Sequence, residues 1–309
     1  MIVWSVSRQA WPVTGRESPD LLPAGGKPAP DSQCHQRQAG RGMNLSRLRA
    51  ALDSRTERLA CNQVLLDSVD STNSMGLRVV RSFFDRESLP PRTIVVAMRQ
   101  ASGRGRLGRS WVSPSGQGAY LSLVAGMHGP DDVASLPLLV GVGLCQKISE
   151  ISGAACRLKW PNDLMVEDRK IGGILIDCVS RGTVGTAAVI GIGVNYGRSQ
   201  ELSAVGGIAM DEVARELPDL PEVISELAEA LEEQLDHIGD IAYAAARYRD
   251  LSAHRHGDTL QYRTEKGIRR GVFTGFDERG FLILRGARGE IHLGAGEAIE
   301  EWTGERHES

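Results

Sequence analysis

The sequence predicts an α+β protein: a mixed sheet flanked by helices, followed by a small SH3-like β-barrel. Three observations predict it. From about Asn62, short β-branched runs alternate with longer runs of helical period, the pattern of a layered domain of sheet and helices. Two of the runs, "KIGGILIDCVS" and "TAAVIGIGVNY", are joined by the hairpin-like "RGTVG", so part of the sheet is antiparallel. After His254 only short strand-like runs remain, separated by turns, as in a compact all-β module.

The elements follow in chain order. Residues 1–42 hold five of the 13 Pro and polar runs such as "DSQCHQRQAG". That composition cannot bury a core, and we expect a disordered extension, with translation able to begin at Met43. A catalytic domain is expected over 43–250, opening on the helical spacing of "MNLSRLRAALDSR". "QVLLDSVDS" reads as a strand and "STNSMGLRVVRSFF" as a helix with a Ser/Thr start signal. "TIVVAM" and "AYLSLVAGM" are strands. "DVASLPLLVGVGLCQKISEIS" is a buried helix, and "CRLKW" begins another strand before the hairpin. "LPEVISELAEALEEQLDHIGDIAYAAARYRDL" is acidic and helical in period. The β module is expected over 254–303, from "DTLQYRT", "IRRGVFTGFD", "GFLILRG" and "EIHLGAGEAIEEW".

Composition limits the function. The chain has 309 residues, 41% hydrophobic and 24% charged, with net charge −3. That balance argues against a dedicated nucleic-acid binder, which is usually basic. Cys34, Cys61, Cys145, Cys156 and Cys178 are odd in number and scattered, which fits a reducing compartment and gives no zinc signature. We read no apolar run as reaching ~18 residues and expect no membrane span, and "MIVWSVSRQAWPV" lacks the long apolar core of a signal peptide. We expect a cytoplasmic protein with no membrane partner.

The most unusual stretch is "QASGRGRLGRSW", Gln100 to Trp111. It places three Arg and three Gly within seven residues, and from Ser88 to Pro130 there is no Asp or Glu. Gly103, Gly105 and Gly108 spell the dinucleotide fingerprint by letter, and Gly108-Arg109-Ser110 nearly spells a P-loop. Both motifs need a helix straight after the glycines. Here Pro114, Gly116 and Gly118 break any helix, so the glycines lie between two strands. A kinase-type glycine loop allows that geometry, but the chain has no H-R-D or D-F-G segment. What remains is physical. Glycine lets backbone N–H groups converge on one point, and Arg104, Arg106 and Arg109 add planar donors suited to carboxylate or phosphate. A solvated RG-rich loop, or one touching RNA, has the same composition.

Other polar clusters stand at element ends. In "LKWPNDLM", Lys159 ends a strand, Pro161 stops it, and Asn162 and Asp163 follow at a turn. Such a turn also occurs without a ligand. In "DRKIGGILID", Lys170 precedes a buried strand in which Gly172 and Gly173 allow close approach. "DSTNS" offers Ser71, Thr72 and Asn73 at a helix start, where capping alone would explain them. Asn195 follows the apolar strand of "GIGVNY".

Taken together, "STN" (71–73), "QASGRGRLGRSW" (100–111), "KWPNDL" (159–164), "RKIGGIL" (169–175) and "GIGVNY" (191–196) resemble the biotin protein ligases, also called biotin–[acetyl-CoA-carboxylase] ligases, in order and approximate spacing. The resemblance covers roughly residues 64 to 300. It implies a catalytic fold like that of class II synthetases and a two-step reaction with ATP and biotin as substrates and Mg²⁺. Biotinyl-5′-AMP forms first, and a Lys of a biotin carboxyl carrier protein, an acyl-CoA carboxylase subunit, then takes the biotinyl group.

Carried over by position, the resemblance implies that Ser71, Thr72 and Asn73 hold the ureido end of biotin. Gln100, Gly103 and Gly173 would line the same pocket. Arg104, Gly105 and Arg106 would close over the biotin carboxylate and the adenylate phosphate, with Arg109 on the nucleotide side. Trp111 would pack near the adenine, and Asn195 would support adenosine. Lys170 would bridge carboxylate and phosphate oxygens, sharing the catalytic role with Arg104. Lys159 and Asn162 would sit near the phosphates, and Asp163 would help place the metal. Regulatory members carry an N-terminal DNA-binding domain; residues 1–63 are too short and Pro-rich for one, so no specific DNA partner is expected. A lipoate or other acyl ligase of the same fold, and a non-catalytic RNA-binding module, stay open as alternatives. Monomer and homodimer are equally compatible with the sequence.

Overall fold

A computed structural model describes residues 2–6, 45–55, 62–264, 267–287, 289–294 and 299–306. Among these residues the first part of the chain runs β1 (Ile2–Val6), α1 (Leu45–Arg55), β2 (Asn62–Leu66), α2 (Thr72–Phe84), β3 (Thr93–Ala97) and β4 (Gly118–Met127). It continues through α3 (Pro130–Ser152), β5 (Cys156–Lys159), β6 (Asp163–Val166), β7 (Arg169–Arg181) and β8 (Gly185–Asn195). The short helices α4 (Gln200–Ala204) and α5 (Met210–Val213) then lead to α6 (Leu220–Leu235) and α7 (Ile241–Leu251). The eight strands form one sheet in the order β1-β2-β3-β4-β8-β7-β6-β5. Only β2 and β3 run parallel; every other neighbouring pair is antiparallel.

The mixed sheet expected from the hairpin is therefore present. One more strand than expected joins it from the extension, where "IVWSV" pairs antiparallel with β2. That stretch carries the β-branched and aromatic residues of a strand, and β2 offers an open edge. Residues 7–44, with Met43 and the rest of the expected extension, lie outside the described residues. A second difference concerns "NDLM". Asp163, expected at a turn, opens β6, and the tight turn falls one strand later, where Glu167 and Asp168 both take positive φ (50° and 59°). A two-residue hairpin requires that conformation.

Helices cover both faces of the sheet, so its central strands are buried throughout and read as unbroken apolar runs rather than alternating ones. On one face α2 sets Val80 and Phe84 against Val124 and Val189. On the other lies the main core, where α3, α6 and α7 pack together around Leu136, Leu139, Ile224, Leu231 and Tyr248. α1 packs on α6, joined at its end by ion pairs from Arg55 to Glu222, Glu226 and Glu229. By length and hydropathy α3 could cross a bilayer, which differs from the expectation that no apolar run reaches that length, because its few polar residues are spread through a mostly apolar helix. The sheet, α6 and α7 cover it instead.

After α7 come β9 (Asp258–Thr264), β10 (Gly267–Phe276), β11 (Leu282–Gly286), β12 (Gly289–Leu293) and β13 (Ile299–Arg306), an antiparallel sheet in the order β12-β11-β10-β9-β13. This is the small β module the turn-rich sequence predicts. Its core residues Leu260, Phe273 and Phe276 are continuous with the main core. The Phe276 ring meets Tyr248 of α7 edge-on at 5.7 Å. The chain between α7 and β9 also touches the sheet: Ala253 N–H donates to Leu158 O at 2.8 Å, and Trp160 N–H donates to His254 Nε2 at 3.1 Å.

Candidate active site

The residues singled out by the sequence converge where the start of α2, the β3–β4 loop and the strands β6, β7 and β8 meet. The floor is built from buried polar side chains. Ser71 stands at the N-cap of α2 but makes no side-chain capping bond. The expected role of capping residue falls partly to Gln100, whose Oε1 accepts Thr72 N–H at 2.8 Å and the Thr72 hydroxyl at 3.3 Å. Gln100 Nε2 donates to Ser113 Oγ at 2.9 Å, tying the helix start to the far side of the loop. Asn73 is 3% exposed. Its Nδ2 donates to Leu175 O at 3.0 Å and Asp177 Oδ2 at 3.1 Å, and its Oδ1 accepts from Ser122 Oγ at 2.7 Å. A buried amide with every group partnered is held in one orientation. Gly191 makes room for it: a Cβ there would overlap the Asn73 carboxamide.

The arginine loop is ordered by its own backbone. Gly105 N–H donates to Arg109 O at 2.7 Å, Arg109 N–H to Arg106 O at 3.1 Å and Trp111 N–H to Gly103 O at 2.9 Å. Residues 106–109 close a tight four-residue turn with both central residues left-handed, Leu107 at φ 56° and Gly108 at φ 73°. Gly103 is buried where a Cβ would collide with Trp111 O and Ser113. Arg104 folds inward and donates to Asp177 at 2.9 Å. Arg106 Nη1 donates to Asn162 Oδ1 at 3.2 Å, and burial lowers its pKa. These side chains leave a cavity of only ≈ 50 Å³ beneath the loop. Outside it, a cleft of ≈ 980 Å³ runs past Arg109 to Val133 and Pro137 of α3 and Phe281 of the β module.

The third wall is the start of β7. Lys170 Nζ pairs with Asp163 and lies 5.3 Å from the centroid of the Trp111 ring. The indole covers Gly193 and approaches Gly173, both of which lack the Cβ that would push it away. Trp111 Nε1 is buried with no acceptor among the described residues. Asn162 is held by Ile174, which accepts from its Nδ2 at 2.9 Å.

Three expected residues stand behind the cavity wall. Asp163 reaches the small cavity through Lys170. Lys159 is cross-strand partner to Asp163; burial lowers its pKa, with Lys170 and Arg109 adding to the effect and Asp163 opposing it. Asn195, 7% exposed, donates to Lys170 O at 3.2 Å and Ile208 O at 3.0 Å. Its amide positions the Lys170 backbone. No cluster of three His, Cys, Asp or Glu side chains suited to a metal occurs among the described residues.

The structure adds Ser122, Asp177, Gly191 and Gly193, which sequence reasoning passed over. Each had a weak signal. Ser122 and Asp177 are polar residues inside the apolar strands "AYLSLV" and "GILIDCV", and the two glycines alternate in "GIGVN" on one face of β8.

Residues 65–195 match the Biotin/lipoate A/B protein ligase family. The chain is 31% identical over 243 residues to the biotin–[acetyl-CoA-carboxylase] ligase of Paracoccus denitrificans, a match covering 76% of this chain and 99% of that protein. It is also 31% identical to the bifunctional ligase/repressor BirA of Escherichia coli, over 71% of this chain and 68% of that one. Among solved structures, biotin protein ligase from Aquifex aeolicus in complex with biotin and ATP shares the fold, with a TM-score of 0.62 at 24% identity, covering 77% of this chain and 98% of that chain.

Proposed function

Given a chain that belongs to the biotin protein ligase family, we propose that its cleft joins biotin to ATP and then passes the biotinyl group to a lysine. The acceptor would be a biotin carboxyl carrier protein of an acyl-CoA carboxylase. One observation carries the assignment of roles: Arg104, Arg106 and Lys170 converge from a glycine loop and a strand on one small cavity with a floor of fully partnered amides.

In the first step a carboxylate oxygen of biotin forms a bond to the α-phosphorus of ATP, and the bond to pyrophosphate breaks. Both reactants are anionic, and negative charge gathers on the phosphoryl oxygens in the transition state. Cations already in place stabilise that charge without reorganising. Lys170 is fixed by Trp111, Asp163 and, through its backbone, Asn195. Arg104 and Arg106 approach from the loop. In the second step the lysine nitrogen bonds to the acyl carbon, AMP leaves with the bonding pair, and the ammonium loses its proton.

The floor suits the ureido ring of biotin. Ser71, Thr72 and Asn73 face the cavity beside Gln100; the Ser71 hydroxyl, which makes no capping bond, and the second lone pair of Asn73 Oδ1 are left to meet a cyclic urea's C=O and N–H. Trp111 with its unshared N–H would border the adenylate. The ≈ 50 Å³ beneath the loop is well below the few hundred Å³ that hold a ligand of this size, so the loop must move outward to admit substrate. Its return excludes water from a hydrolysable anhydride. When bound, Mg²⁺ would supply charge neutralisation on the triphosphate. Asp163 would help place it, and because that carboxylate is already paired with Lys170, the residues fit only a cation that arrives with the nucleotide and keeps most of its waters.

We assign no repressor role. α1 packs on α6 of the catalytic core and so belongs to the ligase fold, unlike a free DNA-recognition helix. A gel shift with the promoter region of its own gene tests this; a specific complex would overturn it. The ligase reading itself is tested by ATP–pyrophosphate exchange with purified protein and biotin or lipoate in turn. Exchange with biotin supports it. Exchange with lipoate alone keeps the chemistry and moves the substrate. No exchange with either acid would leave a binding module.

A further inference from the structure

Asp177 occupies an unusual place for an acid. It lies in the middle of β7, paired with Val189 of β8, so its backbone is fixed. Its carboxylate receives two groups at once. Oδ2 accepts Asn73 Nδ2 at 3.1 Å and Arg104 Nη1 at 2.9 Å, and Oδ1 accepts Arg104 Nη2 at 3.4 Å. One partner is a buried amide of the cavity floor; the other belongs to the loop. The Arg104 and Asp177 side chains remain 40% and 24% exposed, and a pair as open as this contributes little to stability. Asn73 Nδ2 already has a second acceptor in Leu175 O, so the amide does not depend on Asp177 alone. A fixed negative charge at the rim of a site for anions also repels its own ligand, unless a cation is held against it.

Resting on the ligase reading above, we propose that Asp177 is a positioning residue that competes with the anionic substrate for Arg104. Asp177 takes the Nη1–Nη2 edge of Arg104, one of the two guanidinium edges that can grip a ligand carboxylate or phosphate. Arg104 offers that edge to substrate only when it leaves the strand, and the apparent affinity for biotin is lowered by the fraction of time the pair is closed. The pair parks the loop over the cavity, and substrate binding exchanges one carboxylate for another.

The test is biotin-dependent ATP–pyrophosphate exchange by the full chain, comparing wild type with Asp177→Asn, Asp177→Glu and Arg104→Gln. Asp177→Asn keeps an acceptor for Asn73 and removes only the charge. It should lower the KM for biotin about two- to fivefold, the range expected for a half-exposed ion pair, with kcat nearly unchanged. Asp177→Glu, which keeps the charge, should restore a KM near that of wild type. In the Arg104→Gln background Asp177→Asn should have no effect, because its partner is gone. Asp177→Ser should change KM in the same direction should Asp177→Asn fail to fold. An unchanged or raised KM in both neutral variants, or an equal fall without Arg104, overturns the proposal while leaving the ligase reading standing. Absence of biotin-dependent exchange in wild type overturns both.

Discussion

Lys170 Nζ stands 5.3 Å from the centroid of the Trp111 ring while its ammonium pairs with Asp163. The contact joins the end of the arginine loop to the start of β7, segments about sixty residues apart in the chain. A lysine held between an aromatic face and a carboxylate loses little further freedom when an anion arrives. Lys170→Ala should lower biotin-dependent pyrophosphate exchange by on the order of 10²-fold, the scale of one preorganised electrostatic contact. A rate near wild type would remove Lys170 from the chemistry.

On the proposed reaction the loop cation would differ in role, because it would also be needed after the adenylate has formed. Arg104→Ala should let the intermediate escape as free biotin and AMP. The check is AMP release in the absence of any carrier, which should exceed that of wild type. An unchanged leak would tell against closure by Arg104.

Gly191 and Gly193 set the space for two site residues. At 191 a methyl group would overlap the Asn73 carboxamide, and at 193 it would press on the Trp111 indole. Gly191→Ala should cost about 1–3 kcal/mol of stability, the scale for overpacking a closed site, and should raise the KM for biotin. Gly193→Ala should leave that KM less affected and perturb ATP binding. Denaturant unfolding and separate titrations of the two substrates distinguish the cases.

The join between sheet and β module should be pH-sensitive. Burial, reinforced by the charge of Lys159, lowers the His254 pKa from 6.5 to about 3. The folded protein then keeps this ring neutral, with Nε2 free to accept Trp160 N–H, while the unfolded chain protonates it below about 6.5. Between those values the unfolded state binds more protons, so stability falls as pH falls, by at most ~1.4 kcal/mol per unit from this group. In the folded protein the His254 ring resonances should show no titration between pH 7 and 4. A midpoint near 6.5 would refute the assignment.

The sequence by itself determined the strands and helices with strong periodicity, the antiparallel hairpin around "RGTVG", and the β module after His254. It also marked most of the site, because glycine and arginine packed into one loop, and a Lys, Pro, Asn and Asp at one strand end, are locally unusual whatever the fold. Only the tertiary structure decided which of these residues share the cavity and which stand behind it. That Asn195, expected to support adenosine, also donates to the Lys170 backbone was not legible in the sequence, since an amide's partners depend on neighbours distant in the chain. Asp177 and Ser122 were overlooked for the same reason. A polar residue in a strand is unremarkable until the sheet sets it beside Asn73 and the helix start, where burial turns each hydrogen bond into a constraint.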